Sequence, residues 1–169
     1  DAKILVTGGA GFIGSALVKR LRALGAAVRV VDNLWRGDVE NLRRDDGSCA
    51  IDLEKAFHRA DLTDYAACLE WIRDADVVYH LADVVGGIDF VMENESFVFR
   101  HNGLVNSNVL AACVANHVPR YVYTGTACSY PKHLQSRAGV VALRESQTYP
   151  AEPESSYGWS KLMGEYEAE

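Results

Sequence analysis

No stretch of the sequence holds the roughly 18 consecutive apolar residues that a membrane-spanning helix needs, so nothing in it reads as a span. Positive charge is scarce. There are 17 Lys and Arg against 23 Asp and Glu, a net charge of −6, which argues against a sequence-independent grip on nucleic acid. Cysteine is sparse too. Cys49, Cys68, Cys113 and Cys128 have neither metal-ligand spacing nor the density of a disulfide scaffold, which fits a reducing cytoplasm. There is no internal repeat and no low-complexity tract. The opening "DAKILVTGG" reads as a strand rather than a signal peptide. What remains is 169 residues, 49% hydrophobic, enough for about one domain with a real core.

The apolar pattern alternates. "KILVTG" (3–8) is a short continuous run ending in glycine, as expected of a strand buried on both faces. "FIGSALVKRLRALG" (12–25) sets Phe12, Ile13, Ala16, Leu17, Leu21 and Leu24 at helical spacing, with Gly25 as a stop. "AVRVVDN" (27–33) predicts a second strand, and 34–55 a mostly polar connection. "FHRADLTD" (57–64) predicts a short third strand and a helix cap. "YAACLEWIR" then reads as a helix, "DVVYHLA" (76–82) as a fourth strand, 97–117 as a long helix ended by Pro119, and "RYVYTG" (120–125) as a fifth strand. Strands alternating with helices predict an α/β fold with a doubly wound parallel sheet, a single domain over 1–169. Ligands of such sheets bind outside the carboxyl ends of the strands.

Three groups of residues fall at those ends. The first is "TGGAGFIGS", in which Gly9, Gly11 and Gly14 form G-x-G-x-x-G between a strand and a helix, with Gly8 and Gly11 a further three-residue step. Glycine lets the backbone turn sharply and approach a pyrophosphate, which the helix N-terminus then attracts. Asp32, ending the second strand, is placed to accept both ribose hydroxyls of an adenosine and to repel a 2′-phosphate. That favours NAD over NADP, although nearby Arg36 blurs the preference. Asp61 and Leu62 close the third strand, placed either to contact an adenine or to cap a helix.

The second group is Tyr157 and Lys161, which share a helix face at i and i+4. A tyrosine is only about 0.1% phenolate at pH 7, and an adjacent ammonium raises that fraction, which makes it a usable base for a sugar hydroxyl. The third group is "TGTACSYPK". Thr126, at the end of the fifth strand, offers a hydroxyl to orient a substrate, and Cys128 is either a buried thiol or an acid/base. Gly86 and Gly87 either bring backbone against a ligand or form a turn. His80 is expected to pack at its strand end.

Together "TGGAGFIGS", "DN", "ADL", "HLA" and the Thr and Tyr-x-x-x-Lys set make the chain resemble the extended short-chain dehydrogenase/reductase family, the nucleotide-sugar epimerases and dehydratases. The resemblance implies a Rossmann fold with tightly held NAD. It also implies a reaction in which a sugar carbinol is oxidised, altered beside the ketone and reduced again. Gly8, Gly11, Phe12, Ile13, Gly14, Asp32, Asn33, Asp61, Leu62, Leu81 and Ala82 would line the NAD site with Tyr157 and Lys161. Tyr157 would be the base, Lys161 would hold the ribose and tune the tyrosine, and Thr126 would assist. Members continue past the tyrosine helix into a carboxyl-terminal substrate domain, so that domain is expected to be missing here. They also pair as homodimers through helices equivalent to 97–117 and the Tyr-Lys helix, although the apolar residues of 97–117 equally fit a place in the core.

Where the family's 4,6-dehydratases carry Asp-Glu, this chain has Ala127 and Cys128, so that chemistry lacks its acid and base. A 3,5-epimerase needs a group at Cys128, because a C4 ketone acidifies the protons at C3 and C5. "DVVGGIDFVMENES", "ALRESQTYPAEPESSYGWSK" and the length between Pro131 and Arg144 are similar to the branch that takes GDP-mannose. In that branch Gly86, Gly87, Thr126 and Cys128 would meet a GDP-sugar. A 4-epimerase, an epimerase-reductase of GDP-sugars and a non-catalytic NAD-binding module are the alternatives.

Overall fold

The structure, a computed structural model, describes residues 2–135 and 142–169. Residues 136–141, within the loop between Pro131 and Arg144, lie outside the described residues. In chain order the elements are β1 (Lys3–Thr7), α1 (Phe12–Ala23), β2 (Ala27–Asp32), β3 (Phe57–Arg59), α2 (Tyr65–Ile72), β4 (Val77–His80), α3 (Ile88–Glu93), α4 (Glu95–Ala115), β5 (Arg120–Tyr123), α5 (Lys132–Gln135) and α6 (Ser156–Ala168). Single 3-10 turns occur at Val39–Leu42, Ala127–Ser129 and Glu145–Gln147. The chain divides into two compact units, Asp1–Asp83 with Ser107–Tyr123, and Val84–Asn106 with Thr124–Glu169. No helix among the described residues is long and apolar enough to cross a membrane.

The first unit holds a five-stranded sheet in the order β3-β2-β1-β4-β5, every pair parallel. This is the doubly wound Rossmann-like order, with its switch point between β1 and β4. Central β1 is buried over four of its five residues, which is why its sequence is a continuous apolar run. Val6, Val18, Val28, Val30, Leu42 and Ile51 form the core on one side of the sheet. Leu42, Ala50 and Ile51 come from the segment whose composition read as a polar connection. Leu42 is fully buried, worth about 1.5–3 kcal/mol.

The helix bounds differ from expectation for local reasons. α1 buries Gly14, Ser15 and Val18 rather than the large residues of its first turn. A Cβ on Gly14 would collide with the carbonyl of Gly8, so the helix starts tight against the loop on a residue without a side chain. Phe12 and Ile13 are thereby turned outward, 93% and 63% exposed. α4 starts two residues earlier than predicted and stops at Ala115, before Pro119 can act. His117 enters the left-handed region at φ 53°, and Val118 donates back to the carbonyl of Cys113. α3 is too short for its periodicity to be read in advance.

In the second unit α4 and α6 are joined through buried amides. Asn102, fully buried, accepts from the Val84 amide at 2.7 Å and donates to its carbonyl at 3.1 Å. Asn102 and Asn106, one turn apart, donate to the hydroxyl and carbonyl oxygens of Ser160 at 3.5 and 3.4 Å. Ser160 in turn donates to the carbonyl of Tyr157 at 2.8 Å.

Candidate active site

The first unit builds a nucleotide cradle from backbone. Gly8 follows β1 at φ 66°, a region that L side chains avoid, and a Cβ there would lie 2.8 Å from the Ala82 amide nitrogen. The turn after β1 and the residues after β4 therefore touch where strand order reverses. Thr7 fastens that contact. Its hydroxyl oxygen accepts from the amides of Leu81 and Ala82, both at 3.2 Å, and lies 2.7 Å from Nδ1 of His80. Both lone pairs being taken by N–H groups, the Thr7 proton goes to Nδ1 of His80, which packs at the strand end with 1% exposure. Gly11 caps α1 with extended backbone and no side-chain bond, so the first-turn amides of the helix are left to an outside acceptor. A turn packed so closely at Gly8 and Gly14 that neither tolerates a Cβ, leading into an uncapped helix start, fits a pyrophosphate.

Asp32 ends β2 with 8% exposure. Its two oxygens accept from the amides of Ala10, at 3.0 Å, and Leu34, at 2.8 Å. A carboxylate has about four lone-pair sites, so each oxygen keeps capacity for a hydroxyl. Arg36 lies over the ring of Trp35 at 6.0 Å. Asn33 accepts from the Trp35 amide at 2.9 Å, and Asp61 accepts from both the amide and the hydroxyl of Thr63 at 2.9 Å. Both side chains thus close their own turns. Leu62 is buried, and its carbonyl accepts from Asn108 at 3.2 Å.

The second unit carries the candidate acid/base groups. Thr126 is not at the end of β5, which stops at Tyr123. It caps the 3-10 turn Ala127–Ser129, its hydroxyl accepting from the Cys128 amide at 3.2 Å, which leaves its own proton to donate. Cys128 is exposed, not buried in the core of this chain. The contrast is with Cys68 and Cys113, whose burial pushes their thiols up to about 12.

α6 begins at Ser155, whose hydroxyl accepts from the Gly158 amide at 3.2 Å. Tyr157 and Lys161 share a face of this helix as expected, Tyr157 half-buried and Lys161 only 4% exposed. Gly158 rests on the backbone of Cys128, bringing the thiol's turn and the tyrosine's helix together. The two glycines of 86 and 87 differ. A Cβ on Gly86 would lie 2.5 Å from the ring of Phe90, so a side chain there would displace that ring of α3, whereas Gly87 borders open space. Among the described residues no cluster of His, Cys, Asp and Glu is arranged to hold a metal.

Sequence reasoning missed Thr7 as the fastener of the switch point and Asn102 with Ser160 as the tie onto α6. Two asparagines one turn apart on a helix that is otherwise apolar on that face were the available signal.

The chain matches the NAD dependent epimerase/dehydratase family over residues 4–169. It is 34% identical over 165 residues to GDP-mannose 3,5-epimerase of Arabidopsis thaliana, spanning 98% of this chain and 41% of that protein. It is 31% identical over 166 residues to UDP-glucose 4-epimerase of Azospirillum brasilense, spanning 96% and 42%. The solved structure of UDP-glucose 4-epimerase from Thermus thermophilus in complex with NAD aligns with a TM-score of 0.79 at 32% identity, over 98% of this chain and 49% of that one. The chain thus spans about two fifths of the length of these curated relatives. The chain belongs to the NAD dependent epimerase/dehydratase family.

Proposed function

We propose that this chain is the cofactor-binding part of a nucleotide-sugar epimerase that inverts a GDP-hexose at C3 and C5. The observation that carries the reading is the exposed thiol of Cys128, on a turn packed against the helix of Tyr157 and Lys161. The first-turn amides at Phe12, Ile13 and Gly14 would hold the pyrophosphate of NAD. Asp32 would hold its adenosine ribose and Lys161 its other ribose. Bound there, NAD would supply reversible oxidation of the sugar at C4.

The residues of the chain then manage protons. Tyr157 takes the proton of the C4 hydroxyl and returns it at the end, with Lys161 one helical turn away on the same face. Thr126 donates a hydrogen bond to the same sugar oxygen. Cys128 removes the acidified proton at C3 or C5 as thiolate. Inversion follows when a second acid returns a proton on the opposite ring face. Exposed Trp159 and Met163 on α6, with Phe97 and Leu104 on α4, support pairing with a second copy.

The test is incorporation of solvent deuterium. The whole protein is incubated with GDP-mannose and NAD in D₂O, and label at C3 and C5 is counted by NMR, with Cys128→Ala alongside. Label that disappears in the variant while NAD binding persists supports the reading. A 4-epimerised product without label at C3 or C5 overturns it in favour of the UDP-sugar 4-epimerase type.

A further inference from the structure

The segment after β2 folds back onto the glycine-rich turn at one point, Ala10. This residue is fully buried between Gly9 and Gly11. Its amide donates to Asp32 at 3.0 Å. Its carbonyl accepts twice, from the side-chain amide of Asn41 at 2.8 Å and from the backbone amide of Asp38 at 3.1 Å. Gly37 closes the strap, since a Cβ there would lie 3.0 Å from both oxygens of Asp32 and 3.1 Å from the Ala10 carbonyl carbon. On the far side of the same peptide plane, the Gly11 amide donates to the carbonyl of Gly8 at 3.1 Å.

We propose that Asn41 is a positioning residue for the pyrophosphate-binding turn, an inference that rests on the NAD reading above. In a trans peptide the Ala10 carbonyl and the Gly11 amide point in opposite directions. Holding the carbonyl toward the strap therefore fixes the plane that leads into the uncapped first turn of α1. Without Asn41 one of the two donors on that carbonyl is lost, and the plane is free to rock. A carbonyl rotated toward the anion repels it, and the amides that follow lose their aim. Asn41 is itself exposed and 31 residues from Ala10 in sequence, so it acts through the turn and adds little to the core.

The test compares ligands with and without a pyrophosphate on the whole protein. Dissociation constants for NAD and ADP-ribose are measured by calorimetry and for adenosine by NMR titration, in wild type, Asn41→Ala and Asn41→Asp, with thermal unfolding as a check on folding. Asn41→Ala should weaken NAD and ADP-ribose by roughly tenfold and leave adenosine within about twofold, because Asp32 keeps its own contacts. Asn41→Asp, which sets a carboxylate against the carbonyl, should weaken the pyrophosphate ligands further. Equal loss for adenosine and ADP-ribose would make the role merely structural and overturn the proposal, as would unchanged NAD affinity. Failure of wild type to bind NAD or ADP-ribose would remove the cofactor reading itself, and the proposal with it.

Discussion

Gly158 lies against the carbonyl of Cys128, so close that a Cβ at position 158 would overlap the carbonyl oxygen. The same Cβ would stand 3.1 Å from the carbonyl carbon and 3.0 Å from Pro153. Both neighbours are stiff, one backbone and one a proline ring. Gly158→Ala should therefore cost about 1–3 kcal/mol through overpacking. Because the turn carries Cys128 and the helix carries Tyr157, turnover should fall by around 10²-fold as well, the scale of a 1 Å misplacement. Thermal unfolding and steady-state kinetics of the variant check both. Unchanged turnover would separate the packing contact from the chemistry.

Tyr157→Phe removes a phenol and little volume. Epimerisation should drop by about 10²–10⁴-fold, the usual worth of a positioned base. NAD affinity should stay within a few-fold, since the amides of the glycine turn and the carboxylate of Asp32 are untouched. A chain that only senses NAD would be indifferent to this hydroxyl. Stopped turnover with intact cofactor binding is the expected result, read by product assay and calorimetry.

Asp32→Ala should weaken NAD more than NADP. The carboxylate loses its ribose hydroxyls in the first case and its repulsion of the 2′-phosphate in the second. Parallel titrations of the two cofactors measure the ratio. Equal loss for both would assign Asp32 to holding Ala10 and Leu34 alone, the two amides it already binds.

Much of the sheet was legible because buried parallel strands leave continuous apolar runs. Val28, Val30 and Val31 in β2 and Ile4, Leu5 and Val6 in β1 announce themselves. Asp32 was legible by position, as the residue that ends its strand. The packing partners of the loops were not. Leu42 and Ile51 are single apolar residues in a charged segment, and only the folded strap brings them to Val6 and Val30. Thr7 meets Leu81 and Ala82 across 74 and 75 residues, a pairing that no local pattern encodes. The exposure of Cys128 depends on the turn that Thr126 caps, whereas Cys68 carries the same residue type into the core.

That difference between thiols is measurable. Cys128 is exposed and Cys49 partly so, while Cys68 and Cys113 are buried with thiols pushed up to about 12. The thiolate is the reactive form. Iodoacetamide at neutral pH should label Cys128 first, Cys49 more slowly, and Cys68 and Cys113 only after unfolding. Peptide mapping over time gives the order. Early labelling of Cys68 would mean that α2 opens readily and that its burial is not maintained.

His58 on β3 stacks on Trp71 of α2, ring centroids 4.0 Å apart and planes within 16°. Burial lowers its pKa below the usual 6.5, the charge of Arg29 lowers it further, and Glu70 opposes both. In the window between the lowered folded value and 6.5 the unfolded chain binds more protons than the folded one. Stability therefore rises with pH across that window, and this contribution is lost as pH falls through 6.5 toward the folded value. His58→Phe keeps a flat ring for Trp71 and removes the titration. Between about pH 5 and 8, urea unfolding of wild type should weaken on acidification more steeply than that of the variant. Parallel curves would place the acid sensitivity on other groups and leave His58 as packing alone.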